Sequence, residues 1–222
     1  IWIIAGTIIP ILTIAYYGIT DRNGAFTFEN ITAMFNSQHL EALAMSLLLS
    51  VVSTLVCLVL AFPMALILRE SRFGKQGFMI FVFILPMWMN FLLRTMAWQV
   101  LLERQGVINS VLVSIGLNRQ EMMGTPGAVV LGMVYDFLPF MVLPIYNVVS
   151  KIDNRLIEAA YDLGADKFYV FRRVIFPLSI PGIASGVTMV FIPALTTFVI
   201  SNMLGGGKVN LIGNIIEQEF TV

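Results

Sequence analysis

Charge, cysteine and histidine are scarce in this 222-residue chain. Its 13 basic and 13 acidic side chains balance to a formal net charge of zero, so nothing points to a nucleic-acid partner. One cysteine, Cys57, lies inside an apolar run, which excludes a disulfide framework. The lone histidine, His39, has no His or Cys neighbours at metal-ligand spacing. There is no nucleophile elbow and no pair of carboxylates placed for hydrolysis, so neither catalytic residues nor a cofactor are expected, and the chain does not read as an enzyme. Gly205-Gly206-Gly207-Lys208 superficially suggests a phosphate loop. Val209, however, stands where Ser or Thr would hold Mg²⁺, and Asn202 occupies the first-glycine position. A loop after a helix end is the better account. Residues 1–19 carry neither a basic leading region nor a small-residue cleavage site, so they are not a signal peptide. Because the chain opens at Ile1 without Met, a cytoplasmic start is expected to precede it.

What the chain has is apolar surface. It is 58% hydrophobic and 12% charged, with a mean hydropathy of +0.88, the composition of a polytopic membrane protein. A helix needs roughly 20 apolar residues to cross the hydrocarbon core. Five segments qualify: about Ile1–Ile19, Ala42–Leu68, Phe78–Leu102, Ala128–Val149 and Gly182–Leu204. The fold class is therefore all-α, a transmembrane helical bundle forming one domain over residues 1–222. Lys and Arg in short loops mark the cytoplasmic side. Arg69, Arg72 and Lys75 follow the second span, and Lys151, Arg155, Lys167, Arg172 and Arg173 follow the fourth. The opposite loops hold only Arg22, Arg104, Arg119 and Lys208. Those outer loops also carry Asp21, Glu29, Glu41, Glu103, Glu121, Glu217 and Glu219, a slight acidic excess that suits a cationic cargo or a basic docking patch, or simply solvation.

The most polar stretch is Asn154–Pro177, within a cytoplasmic loop at 150–177. Asp153 is placed to cap a helix, and Leu156, Ala159, Ala160 and Leu163 recur at helical spacing on one face. Gly164 supplies a position where the helix can stop with φ > 0. A second short helix is expected from about Lys167 to Phe176, closed by Pro177. Two small residues beside one carboxylate make a low-profile helix that another protein can approach closely. The alternative is a solvated loop between two spans.

Glu158-Ala159-Ala160, Gly164 and Pro177 are in register with the EAA loop of bacterial ABC-importer permeases: Glu-Ala-Ala, three residues, Gly, nine residues, then Ile-x-Leu-Pro. Val174 and Phe176 replace the usual Ile and Leu. The chain resembles that binding-protein-dependent importer family, whose permeases have the MetI-like helical-bundle fold. The resemblance implies that Glu158, Ala159, Ala160, Gly164 and Pro177 couple the chain to a separate ATPase. It also implies four partners: a homologous second permease, a dimer of ATP-binding cassette ATPases (two copies) and an extracytoplasmic binding protein. The setting is the bacterial inner (plasma) membrane, with lipid around the chain. Leu85-Pro86-Met87-Trp88-Met89-Asn90, Leu138-Pro139-Phe140-Met141-Val142-Leu143-Pro144 and Leu204-Gly205-Gly206-Gly207-Lys208 resemble the polyamine (spermidine/putrescine) branch, so a polyamine-binding protein is the delivery partner implied. Members of the family end in another returning span. Residues 208–222 are too short and too polar to supply it, so a sixth span is expected beyond Val222. An ion-coupled secondary carrier would also be polytopic, with Asp136 as its coupling acid, but it leaves the Glu158–Pro177 pattern unexplained.

Asp136 lies near the middle of the fourth span. A carboxylate there costs about 2.5–3.5 kcal/mol on insertion scales, so it either lines a translocation path or sits in a structural pair with Arg94 or with a partner subunit. Tyr135, Trp88, Asn90 and Trp98 are candidates for aromatic faces and a polar handle on the same path. Trp98 and Trp2 also suit the membrane interface.

Overall fold

The computed structural model describes residues 2–20, 25–70, 81 and 85–221. Among the described residues the regular structure is helical, apart from an isolated antiparallel bridge between Thr20 and Phe26. The chain forms two compact units, residues 1–44 and 45–222. The first unit holds α1 (Trp2–Gly18) and α2 (Glu29–Ala33). The Asn30 side-chain amide ties α2 to the end of α1, donating to the carbonyls of Tyr17 and Thr20, each at 3.2 Å.

Helix α3 (Ser37–Glu70) begins in the first unit and runs on into the second. The second unit continues with α4 (Phe91–Leu102), α5 (Val107–Ser114), α6 (Pro126–Val149), α7 (Asn154–Asp162), α8 (Lys167–Val170), a π-helical turn (Phe171–Ile175), α9 (Phe176–Thr196), α10 (Val199–Leu204) and α11 (Ile212–Thr221). Among the described residues three helices are long and apolar enough to cross a membrane: Ser37–Glu70, Pro126–Val149 and the unbroken run Lys167–Thr196.

Local chemistry explains where helices begin. Thr125 caps α6 through its hydroxyl, which accepts from the Ala128 amide at 3.2 Å, and Pro126 occupies the first helical turn, where its missing N–H costs nothing. Residues 85–88 make a single helical turn, and Asn90 then restarts the chain as α4 by accepting from the Leu92 amide at 2.8 Å. The apolar run expected over 78–102 is therefore interrupted at Met89–Asn90. Its residues 78–80 and 82–84 lie outside the described residues.

The third long helix departs most from expectation. Pro177 does not close a short helix after Phe176; the helix passes through it as far as Thr196. Proline removes one i→i−4 bond and its ring crowds the carbonyl four residues back. The wider π turn at Phe171–Ile175, in the turn before it, accommodates that crowding. At its other end the helix stops at Thr197, which is extended with ψ 138°, so the run expected to reach Leu204 divides into α9 and α10.

The core of the second unit forms where α6 meets α9 and α10. Met133, Met141, Val142, Ile145, Val190, Ile200 and Leu204 are buried in it. Gly182 and Gly186 let α9 approach α6 closely. A Cβ on Gly182 would lie 2.9 Å from the Pro144 carbonyl, and one on Gly186 would lie 2.7 Å from the Met141 sulfur. This small-residue spacing is how helices pack in lipid, where no hydrophobic force drives them together. Cys57 is fully buried, with its sulfur 3.8 Å from the Val134 carbonyl.

Candidate functional site

The loop after α6 folds as its residues dictate. Asp153 caps α7, its Oδ1 accepting from the Arg155 amide at 3.0 Å. At the other end Gly164 takes φ +83°, its amide donates to Tyr161, and the Ala165 amide reaches back to Ala160 at 3.1 Å. That pair of bonds is a Schellman closure, which requires a residue in the left-handed region. Asp166 then starts α8 by accepting from the Tyr169 amide at 2.6 Å.

None of the side chains of α7 is buried. Glu158 and Ala159 are exposed and Ala160 is half-buried. Leu156 and Leu163 are exposed, Leu163 to 89%, and so are Phe168 and Tyr169 on α8. Ala160, Leu163, Gly164, Ala165, Asp166 and Tyr169 line a depression of about 520 Å³. The lining is mostly small and apolar, with Asp166 as its charged member, and the carboxylates Glu158 and Asp162 on α7 are exposed. Pro177 is also exposed, but it lies beyond the π turn inside the long helix and not on this face.

The second candidate is a buried charge pair. Asp136 is 1% exposed and Arg94 on α4 is 7% exposed, with Arg94 Nε 3.3 Å from Asp136 Oδ1. The Thr95 hydroxyl is shared between Asp136 Oδ2 at 3.4 Å and the Phe91 carbonyl at 3.1 Å. The ion pair lacks hydrogen-bond geometry, and Arg94 Nη1 has no hydrogen-bond partner. The structural pair with Arg94 that the sequence allows for Asp136 is present.

The aromatic candidates separate. Tyr135 meets Trp98 edge-on, ring centroids 5.4 Å apart, and both line an apolar groove of about 440 Å³ with Val56, Val130 and Leu138. Asp136, next in sequence, is turned away from that groove toward Arg94 and Thr95. Trp88 is exposed and meets Phe81 edge-on at 5.9 Å, while the Asn90 side chain is engaged in its cap. Neither of these lines the groove. Trp98, an interfacial candidate in the sequence, is half-buried here; the side chain of Trp2 is outside the described residues. Among the described residues no cluster of three metal-ligating side chains occurs.

These helices and this loop have counterparts in known proteins. Residues 43–220 match the family model described as "Binding-protein-dependent transport system inner membrane component". The chain belongs to this family. The permease is 37% identical over 229 residues to the spermidine/putrescine transport system permease protein PotB of Haemophilus influenzae, covering all of this chain and 80% of that protein. Its fold matches a crystal structure of a bacterial ABC transporter involved in the import of the acidic polysaccharide alginate, with a TM-score of 0.77 at 17% identity, covering 99% of this chain and 80% of that one. A second structure, the alginate transporter in complex with its alginate-bound periplasmic protein, matches with a TM-score of 0.76 at 18% identity over 98% and 82% of the two chains. The structural match carries the all-helical permease fold, and nothing about cargo.

Sequence reasoning did not reach the groove at Tyr135 or the tie between Arg69 and the loop at Ile152 and Asn154 described below. Both join residues far apart in the chain, and no local pattern signals them.

Proposed function

We propose that this permease is the membrane subunit of an ATP-driven importer that brings a polyamine of the spermidine/putrescine class into the cytoplasm. The observation that carries the cargo is the 37% identity to a spermidine/putrescine permease over the whole of this chain. In this reading the chain is one multi-pass domain of the bacterial inner membrane. Its five apolar segments span the bilayer, and the loop at 150–177 lies in the cytoplasm. It works with a second, homologous permease, two ATPase subunits and an extracytoplasmic binding protein, and has no hydrolytic chemistry of its own.

The exposed face around Glu158, Ala159, Ala160 and Gly164 then meets the ATPase, while the helix through Pro177 carries its motion into the membrane. Closure of the ATPase pair displaces α7 and α8 as a unit. Because Lys167–Thr196 is one continuous helix, movement at the loop becomes movement of a span. Cargo shifts the balance of inward- and outward-open states only by contacting them differently. Asp136, Tyr135, Trp88 and Asn90 are the candidate path residues. Asp136 is masked by Arg94 in the conformation described, so cargo meets it only where that pair opens. The groove at Tyr135 and Trp98 offers apolar and aromatic surface to methylene chains and ammonium groups.

The alternative is another small organic solute carried by the same machinery, since the alginate transporter shares the fold with an acidic cargo. Reconstitution of the complete complex in proteoliposomes, with labelled spermidine outside and ATP inside, decides between them. ATP-dependent, vanadate-sensitive accumulation that excess putrescine or spermidine competes away is expected. Uptake unaffected by either amine overturns the cargo. Uptake by this chain alone without nucleotide overturns the importer reading in favour of an ion-coupled carrier.

A further inference from the structure

The loop after α6 is fastened to a span to which it is not covalently joined. Arg69, the next-to-last residue of α3, is half-buried. Its Nη2 donates to the Ile152 carbonyl at 3.1 Å and to Asn154 Oδ1 at 2.8 Å. Ile152 immediately precedes the Asp153 cap, and Asn154 is the first residue of α7. The guanidinium therefore grips the loop at the point where α7 begins. Beside it lies a cavity of about 660 Å³ bounded by Glu70, Tyr146, Ser150, Ile157 and Tyr161, so α7 is not packed solidly against the ends of α3 and α6.

We propose that Arg69 is a positioning residue for energy coupling, a strut that turns displacement of α7 into displacement of α3. The inference rests on the reading that α7 is where the ATPase acts. Helix α7 buries none of its side chains, so the Arg69 hydrogen bonds are a direct link by which a push on it reaches α3. Arginine suits the task because its planar guanidinium is always charged and holds two acceptors in a fixed geometry. Hydrogen bonds from a charged donor are also stronger than neutral ones. Lysine supplies the charge without the rigid plane that fixes the directions of the two Nη2 hydrogens.

The test uses the complete complex in proteoliposomes and reads ATP hydrolysed per cargo imported, together with retention of the ATPase. Arg69→Gln is expected to keep the ATPase bound and to raise that ratio about tenfold, the order set by losing hydrogen bonds to a charged group. Arg69→Lys recovers part of the coupling. Asn154→Ala, at an exposed position, gives a smaller rise in the same direction. A role in stability alone lowers the amount of complex and both activities together, and an unchanged ratio in Arg69→Gln overturns the proposal. Should Arg69→Gln fail to assemble, an unchanged ratio in both Arg69→Lys and Asn154→Ala overturns it equally. Ala159→Arg separates the underlying reading. If that variant keeps the ATPase bound and coupled, docking at α7 is wrong and the strut falls with it. If it sheds the ATPase while the Arg69 variants stay coupled, only the strut is wrong.

Discussion

Asp136 and Arg94 show how much a single pair can decide in an apolar body. Each is buried, and their closest approach of 3.3 Å lacks hydrogen-bond geometry. Removing one partner of a buried pair typically costs about 3–5 kcal/mol, because the survivor is left as an uncompensated charge, whereas removing both is often nearly neutral. Asp136→Asn and Arg94→Gln are each expected to lower the thermal stability of the detergent-purified complex, and the double variant to recover most of the loss. Additive losses in the double variant would show that the pair contributes no coupling. The stable double variant also bears on function: normal import by a fully assembled complex means that cargo does not need the Asp136 carboxylate. The sequence already exposes the carboxylate as out of place in a span. It leaves its partner open, because α4 and α6 are brought together by tertiary packing with no signal at fixed spacing.

Helix boundaries divide along the same line between local and distant causes. The start of α7 was legible because Asp153 caps it from the neighbouring residue; α6 begins at Pro126 behind a Thr125 cap, two residues before the start expected at Ala128. The stop at Gly164, which needs φ > 0, was legible too. The passage through Pro177 was not, since a π turn absorbs the proline and no residue type signals that turn in advance. Nor was the break at Thr197. There Ile200 and Leu204 turn to pack against Gly132, where an added Cβ would lie 2.5 Å from Leu204. The contact between α6 and α9 gives a prediction at this scale. At Gly182 an added methyl meets backbone, the Pro144 carbonyl at 2.9 Å and the Ile145 Cα at 3.1 Å; at Gly186 its nearest neighbour is the Met141 sulfur, the flexible part of a side chain. Overpacking costs about 1–3 kcal/mol when the neighbours cannot yield. Gly182→Ala is therefore expected to lower the melting temperature clearly more than Gly186→Ala, and the reverse order would contradict this packing. For the loop, Gly164→Val forces a β-branched residue to φ +83° with nothing within 4 Å to support it. Strain of about 1–2 kcal/mol opens the Schellman closure and misdirects α8. Binding of the purified ATPase should weaken while the melting temperature of the membrane body holds, and full affinity would remove Gly164 from the docking surface.

Which side of the membrane the loop faces belongs to the whole molecule, and the partition of basic residues between the two sets of loops predicts it. That partition is electrostatic and independent of the Glu158–Pro177 pattern, and both predict that residues 150–177 face the cytoplasm. The chain carries a convenient means of testing the agreement. Its single cysteine, Cys57, is fully buried, so the unaltered permease should be silent to a membrane-impermeant maleimide on either side. Glu121→Cys replaces a side chain that is 77% exposed, in an exposed pair with Arg104 at 3.7 Å. Such surface pairs contribute roughly 0–1 kcal/mol, so the substitution leaves the fold intact. Lys151→Cys stands at an exposed position just after α6, clear of the α7 face that the ATPase would cover. Intact cells are expected to label Glu121→Cys and spare Lys151→Cys, and permeabilised cells to label both. Labelling of Lys151→Cys from outside would invert the topology. It would put the Ala159–Gly164 surface where no ATP exists, leaving an exposed face with nothing to drive it and reopening the ion-coupled reading that a cytoplasmic loop disfavours.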